Sequence, residues 1–445
     1  MSEVLKKKWT VLEEPDYNQI LQLSQDTDIP LPLSKILIRR NVNNKVDAKR
    51  FFVPDLKYLY DPFLMKDMDK ASQRLLKVIE NKEKIMVFGD YDVDGTSGVS
   101  MFYCFLKNLG ITPLVYIPDR FTEGYGLSKT GIQQAAKNNI KLIIAIDCGI
   151  TAFDKVEYAN SLDIEIIICD HHQPPELIPS AYAVLDALQD GCNYPLKDLC
   201  GTGVAFKLIQ AVCEKLGSDL HLSLLDFVAI ATAADMVPVI DENRILVHFG
   251  FKQIIENPRP SFLTLIKNSG FKIENLNTSS VAYALGPRIN AVGRLGDANR
   301  AVEFLTCDDM SKVDSLAGVL ESENINRKKI DSEIYSQAQS SYESYLNRSP
   351  DANDVAIVLH DPEWHPGVLG IIASRMVEKY YRPSIILTNF KGVAKGSARS
   401  IHDFNIYDAL KQCAAVFPGL IQFGGHFYAA GLEVEIEKID EFRNT

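Results

Sequence analysis

The chain has 445 residues, 46% of them hydrophobic, with a formal net charge of −11. That length exceeds one compact core and suits two or three domains; no uninterrupted apolar run is long enough to span a membrane, and the lysine-rich N-terminus carries no apolar leader, so a globular, cytoplasmic protein is expected. The eight cysteines are scattered without a Cys-x-x-Cys pair, which excludes a secreted-type disulfide framework and leaves them, Cys148 and Cys169 included, as reduced thiols.

Residues 1–75 are mixed and punctuated by proline, and read as a lead segment that packs on the neighbouring domain. An amphipathic pattern predicts a helix over Ala71–Glu80, and Lys84-Ile85-Met86-Val87-Phe88 then reads as a buried strand. The same grammar recurs in Lys141–Ile146, which precedes Asp147, and in Ile164–Cys169, which precedes Asp170, with helical stretches between. This is the pattern of a parallel α/β sheet, where ligands bind outside the carboxyl ends of the strands, so acids that directly follow three strands are placed to converge. From Met310 to about Leu346 the sequence has no proline and one glycine, and reads as a connecting helix roughly 55 Å long at 1.5 Å per residue. Val355–Leu359 and Ser384–Leu387 read as strands of a smaller second α/β domain. The expected organisation is therefore a lead segment (1–75), an α/β domain (76–309), a helix (310–346) and a second domain (347–445), with Glu435–Thr445 reading as a helix just beginning.

The strongest local signal is Gly89-Asp90-Tyr91-Asp92-Val93-Asp94-Gly95-Thr96, three carboxylates on alternate residues after a strand. Like charges this close repel unless a cation sits among them, and hard divalent ions favour carboxylate oxygen. The alternatives are a solvated acidic turn or a calcium loop, but the twelfth position of such a loop holds Met101 in place of Glu. Asp170-His171-His172 is the second signal; alone it fits a packed core cluster equally well, and beside the Asp triplet it points to Mn²⁺, Fe²⁺ or Zn²⁺ more than Ca²⁺. Asp147 in Asp147-Cys148-Gly149 and Asp235 in Ala233-Ala234-Asp235 are single acids in apolar surroundings, each needing a partner, a metal or a capping role. The acidic balance argues on average against phosphate binding, yet carboxylates around metals are locally neutralised and a basic groove can coexist with an acidic exterior.

In this order, the Asp-Tyr-Asp-x-Asp-Gly, Asp-Cys-Gly, Asp-His-His and Ala-Ala-Asp motifs resemble the four motifs of the DHH phosphoesterases, and the likeness covers most of the chain. Arg120–Gly126, Leu199–Phe206, Gly286–Gly296, Trp364–Arg375 and Gly424–Gly431 narrow the resemblance to the RecJ exonucleases. It implies a parallel-sheet DHH catalytic domain joined by a long helix to a smaller α/β substrate-binding domain. It further implies two Mn²⁺ or Mg²⁺ ions held by Asp90, Asp92, Asp94, Asp147, His171 and Asp235, with Asp147 bridging. Asp94, Asp147 and His172 become the catalytic set, His172 facing the scissile phosphate, although the roles of the paired histidines could be exchanged. Smaller members of the superfamily have a histidine four residues before the first acid of an Asp-x-Asp pair; counted from Asp92 that place holds Phe88, which agrees with RecJ instead.

Arginine suits phosphate because its planar guanidinium donates two hydrogen bonds at once. The resemblance makes Arg120 and Arg288 candidates for a terminal 5′ phosphate, with Asn290 and Arg294 beside them. In the second domain it nominates Ser374, Arg375, Ser397, Arg399, Gly424, Gly425 and His426, a set able to grip a sugar-phosphate backbone without reading bases. The implied activity is 5′-to-3′ hydrolysis of single-stranded DNA to mononucleotides in recombination and repair, beside a helicase and a single-strand-binding protein. The rivals are a nanoRNA or cyclic-dinucleotide phosphodiesterase and, in another class, a non-catalytic DNA-binding scaffold. RecJ-like chains usually continue into an oligonucleotide-binding barrel; no stretch here reads as one, so a chain stopping short of that domain is expected.

Overall fold

The structure, a computed structural model, describes residues 9–348 and 355–445. It separates into two compact units, one from Thr10 to Ser322 and one containing Glu323–Thr445.

The first unit opens with α1 (Tyr17–Thr27), α2 (Leu31–Ile38) and α3 (Lys45–Phe52). The sequence did not announce these as helices, because each is short and only Ile20, Leu23, Leu37, Ile38, Val42 and Ala48 form their small shared core. Their capping signals are nonetheless present: Asp16 and Asn44 accept backbone N–H bonds at the starts of α1 and α3, and Pro30 precedes α2. The expected helix before the first strand is α4 (Met68–Asn81), and it leads into β1 (Ile85–Gly89), α5 (Val93–Asn108), β2 (Leu114–Tyr116), α6 (Lys129–Lys137), β3 (Leu142–Ile146), α7 (Phe153–Ser161), β4 (Glu165–Cys169) and β5 (Ala183–Leu185). The strands form one parallel sheet in the order β2-β1-β3-β4-β5.

Both faces of this sheet are covered, which is why its strands read as continuous apolar runs. Ile85, Val87, Leu142, Ile144, Ile146 and Ile167 pack with α4 and α5 on one side, together with α8 (Gly201–Leu216) and α9 (Leu225–Ala234). Met86, Phe88, Ile143, Ala145, Ile166 and Ile168 pack with α6 and α7 on the other. Each such side chain contributes about 1.5–3 kcal/mol on burial. A buried polar knot fastens α8 to α10 (Asp241–Glu256): Lys207 and Glu242, both fully buried, pair at 2.9 Å, and Glu242 also accepts from Tyr194 and from the Tyr60 amide. Then come α11 (Pro260–Asn268), the short α12 (Thr278–Ser280), a π-helical stretch over Val281–Leu285, α13 (Gly286–Leu295) and α14 (Asn299–Leu305).

The long helix is α15 (Met310–Arg348), 39 residues and about 58 Å. Its N-terminal portion belongs to the first unit and the remainder to the second. The second unit continues with β6 (Ile357–His360), α16 (Leu369–Tyr380), β7 (Ser384–Phe390), β8 (Val393–Arg399), α17 (Ile406–Val416), β9 (Leu420–Gly425), β10 (Ala429–Val434) and α18 (Ile439–Asn444). Its mixed sheet has the order β6-β7-β8-β10-β9, parallel only between β6 and β7. α17 and α18 cover one face, and α15 with α16 covers part of the other. Among the described residues no helix is long and apolar enough to cross a membrane.

Candidate active site

Parallel register gathers the acids. Gly89 pairs with Ile146, and Ile146 with Cys169, so β1, β3 and β4 end level with one another. The next residue of each strand, Asp90, Asp147 and Asp170, is therefore delivered to one edge, and all three are buried.

Three devices then aim the carboxylates. Asp92 caps α5, its Oδ1 accepting from the amides of Asp94 and Gly95 at 2.9 and 3.2 Å. Asp94 is seated at the start of α8, where Gly201 N and Thr202 N donate to its two oxygens at 2.6 and 2.8 Å and the positive end of the helix dipole favours its charge. A side chain at Gly201 would put Cβ 2.7 Å from the Asp147 backbone, so only glycine lets α8 approach β3 this closely. Asp147 itself has φ 60°, a left-handed conformation that costs a non-glycine residue energy and is concentrated at functional sites. Its carbonyl accepts from the Tyr125 hydroxyl at 2.8 Å.

The histidines follow β4. Asp170 accepts from the amides of Ile150, His171 and His172 and from His172 Nδ1 at 2.7 Å. That saturation makes it the orienter of the histidine pair, a role the sequence did not single out. His171 Nε2 lies 3.2 Å from Asp147 Oδ1, 3.8 Å from Asp94 Oδ2 and 3.7 Å from Asp235 Oδ2, Asp235 standing at the end of α9. The ligand atoms of Asp90, Asp92 and Asp147 lie within 4.8 Å of one another, as do those of Asp94, His171 and Asp235; Asp147, His171 and His172 form a third such group linking the two. All six residues expected as metal ligands are thus together.

Electrostatics favours a cation among these acids. Burial, then the charges of Asp94, Asp92 and Asp90, push Asp147 well above the ordinary carboxylate range. Burial and Asp92 do the same to Asp90, and burial with Asp94 raises Asp92. Asp235 is pushed up to about 7 by burial and by Asp94. For Asp170 burial works in the same direction, but the His172 hydrogen bond outweighs it and its pKa falls. Burial opposes the charged form of His172, and the same hydrogen bond prevails, raising it to about 9. Asp90 Oδ1 and Asp147 Oδ1 are buried without a hydrogen-bond partner, although His171 Nε2 stands so near the latter. Bare acceptors turned toward a shared centre fit divalent cations. Cys148 and Cys169 are buried and their thiols are shifted upward by burial, which leaves them as core residues.

The structure adds one acid. Asp186 directly follows β5, is fully buried, and has one oxygen bonded to the Leu188 amide and the other unpartnered; burial and Asp170 raise it to about 7. Its signal in the sequence is the same apolar run followed by Asp, in a run of only three residues, Ala183–Leu185.

Of the residues expected to bind substrate, Arg120 lies 4.8 Å over the Tyr91 ring and its charge reaches Asp90. Asn290 accepts from the Val93 amide at 3.0 Å, which makes it a support of the acidic loop. Arg288 pairs with Glu321 at 2.6 Å and also donates to the Ala284 carbonyl. Arg294 lies in the last turn of α13, and its charge reaches Tyr91. In the second unit Ser397 and Arg399 share one face of β8, the Arg399 guanidinium donating to Ser397 Oγ at 2.9 Å. Ser374 bonds to the Gly370 carbonyl, and Arg375 is committed to α15, paired with Asp331 at 3.0 Å and lying 3.7 Å over Tyr335. Register places Gly431 beside Ser397, and Gly424 beside Gly431, all on one face. A Cβ at either glycine would meet nothing within 4 Å, so packing does not require glycine there. Gly425 has φ 151° and, with His426 N bonded to the Ala429 carbonyl, makes the turn between β9 and β10.

Comparison with known proteins agrees with this geometry. The profile of the DHH family, N-terminal domain, matches residues 84–232, and that of the DHHA1 domain matches 353–445. The single-stranded-DNA-specific exonuclease RecJ of Bacillus subtilis (strain 168) is 37% identical over 99% of this chain and 54% of its own length. That of Escherichia coli (strain K12) is 34% identical over 95% of this chain and 76% of its own. The crystal structure of RecJ from Thermus thermophilus in complex with Mn²⁺ superposes with a TM-score of 0.84 at 29% identity, over 98% of this chain and 61% of that one. The chain therefore spans less than two thirds of the Bacillus and Thermus relatives.

Proposed function

Because the chain belongs to the RecJ family of DHH phosphoesterases, we propose that it hydrolyses single-stranded DNA from the 5′ end to mononucleotides, using two Mn²⁺ or Mg²⁺ ions. The observation that carries this is the pair of three-residue ligand groups linked through Asp147 and His171, with two buried carboxylate oxygens left bare. Asp90, Asp92 and Asp147 would hold one ion and Asp94, His171 and Asp235 the other. When bound, such ions supply Lewis acidity, acidifying the attacking water and neutralising charge on the leaving oxygen.

The chain's own groups supply position. Asp170 fixes His172 through Nδ1, leaving Nε2 to donate to a phosphate oxygen. α8 holds Asp94, and Tyr125 holds the strained Asp147 backbone, so the acids cannot spread apart under their mutual repulsion. Arg120, next to the acids, is the group best placed for a terminal 5′ phosphate; Arg288 would first have to loosen its pair with Glu321. Ser397, Arg399, Gly424, Gly431 and His426 would grip the sugar-phosphate backbone of the strand. A strand-opening helicase and a single-strand-binding protein are the partners such a substrate calls for, in the cytoplasm.

The test is release of label from 5′-phosphorylated, 5′-blocked and duplex oligonucleotides with Mn²⁺, with Asp147→Ala as control. Mononucleotides from free 5′ ends of single strands, absent with the variant, are expected. Turnover of dinucleotides alone would move the assignment to a short-substrate phosphodiesterase, and tight binding without cleavage in saturating Mn²⁺ to a scaffold.

A further inference from the structure

In the turn between β9 and β10, at the end of the second unit's sheet where Arg399 stands, two aromatic residues are exposed. Phe427 and Tyr428 are 38% and 47% accessible, with ring centroids 4.7 Å apart in an edge-on arrangement. Exposed aromatics of this size cost solubility and gain nothing from the core. They are nonetheless rigidly presented. The Phe427 carbonyl accepts from Ile406 N at 3.0 Å, the Tyr428 carbonyl from Ser400 N at 2.9 Å, and Tyr428 N donates to His426 Nδ1 at 3.3 Å.

Their place in the register is as informative as their exposure. Ala429 pairs with Arg399 and Ser400 N donates to the Tyr428 carbonyl, so the turn that carries both rings, begun by Gly425, lies at the Arg399 end of the sheet. A phosphodiester lying over Gly424 and Gly431 toward Arg399 would bring its attached bases to the rim that these two rings occupy. Every base has a π-face, so aromatic stacking holds a strand without reading its sequence, and a base inside a duplex is already stacked on its neighbours and has no free face to offer.

We propose that Phe427 and Tyr428 form a base-stacking platform for the single strand, setting preference for unpaired DNA and register along the sheet; this rests on the nuclease assignment above. The test uses the full chain with Mn²⁺ and a series of single-stranded oligonucleotides carrying one abasic site at successive positions from the 5′ end. Wild-type protein should show a rise in KM of about tenfold at one or two positions, the size expected of one lost base–aromatic stack. Phe427→Leu or Tyr428→Leu, which keeps the bulk and removes the π-face, should raise KM on intact DNA by a similar factor and abolish the abasic penalty. The Trp replacements should retain both, and thermal melting should match wild type for all. If the Leu variants keep the wild-type penalty at every position, the platform is refuted while the nuclease assignment stands. If wild-type protein does not degrade single strands at all, the assignment fails and the platform with it.

Discussion

Removing one charge from the acidic cluster should make the metal-free protein more stable and the metal-loaded protein useless. Ligand oxygens of Asp90, Asp92 and Asp147 lie within 4.8 Å of one another. Two full charges at that separation repel by about 3.5 kcal/mol at an effective dielectric of about 20. The raised carboxyl pKa values mean that protonation already relieves part of this, so Asp147→Asn is expected to stabilise the metal-free protein by about 1–3 kcal/mol, roughly 2–8 °C in melting temperature. Wild-type protein should gain about 2.7 kcal/mol from Mn²⁺ at one hundred times its Kd, and the variant should gain little. Thermal melts of both proteins in EDTA and across a Mn²⁺ titration decide the matter. A metal-free variant that melts below wild type, yet shifts fully with Mn²⁺, would refute both the repulsion and the ligand role.

Gly201→Ala should cost about 1–3 kcal/mol from overpacking against the Asp147 backbone and, by moving Asp94 relative to Asp147, reduce Mn²⁺-dependent hydrolysis about a hundredfold; unchanged turnover would contradict the close approach. Glu242→Gln leaves Lys207 buried without its counter-charge and should cost about 3–5 kcal/mol in urea unfolding, and a loss below about 1 kcal/mol would count against that knot. Metal-free stability should fall as pH rises from about 4 to 7, because Asp235 and Asp186 titrate near 7 when folded and near 4 when unfolded, so the folded state binds more protons in that window. His172, raised to about 9, has the same sign above pH 6.5. Melts that stay flat or climb between pH 4 and 7 in EDTA would overturn these shifts.

What the sequence determined by itself was local chemistry. Continuous apolar runs ending in Asp90, Asp147 and Asp170 required buried parallel strands with acids at their ends, whereas the Asp-His-His and Ala-Ala-Asp segments, open to a core or capping role when taken singly, joined that site through their resemblance to the family's motifs. The long helix followed equally from 39 residues without proline. Asp186 escaped notice because three apolar residues are too few to establish a period, and the lead helices because their shared core is so small.

Tertiary structure alone decided the rest. Asp94 is anchored by the first amides of a helix that begins more than a hundred residues later, and Asn290 turned out to brace the Val93 amide from almost two hundred residues away. Arg288 found Glu321, and Gly424 found Gly431 across a strand pair. Composition and periodicity specify which face of an element is buried, but a partner across the fold depends on the register between strands and the approach of helices, which the whole packed core sets together.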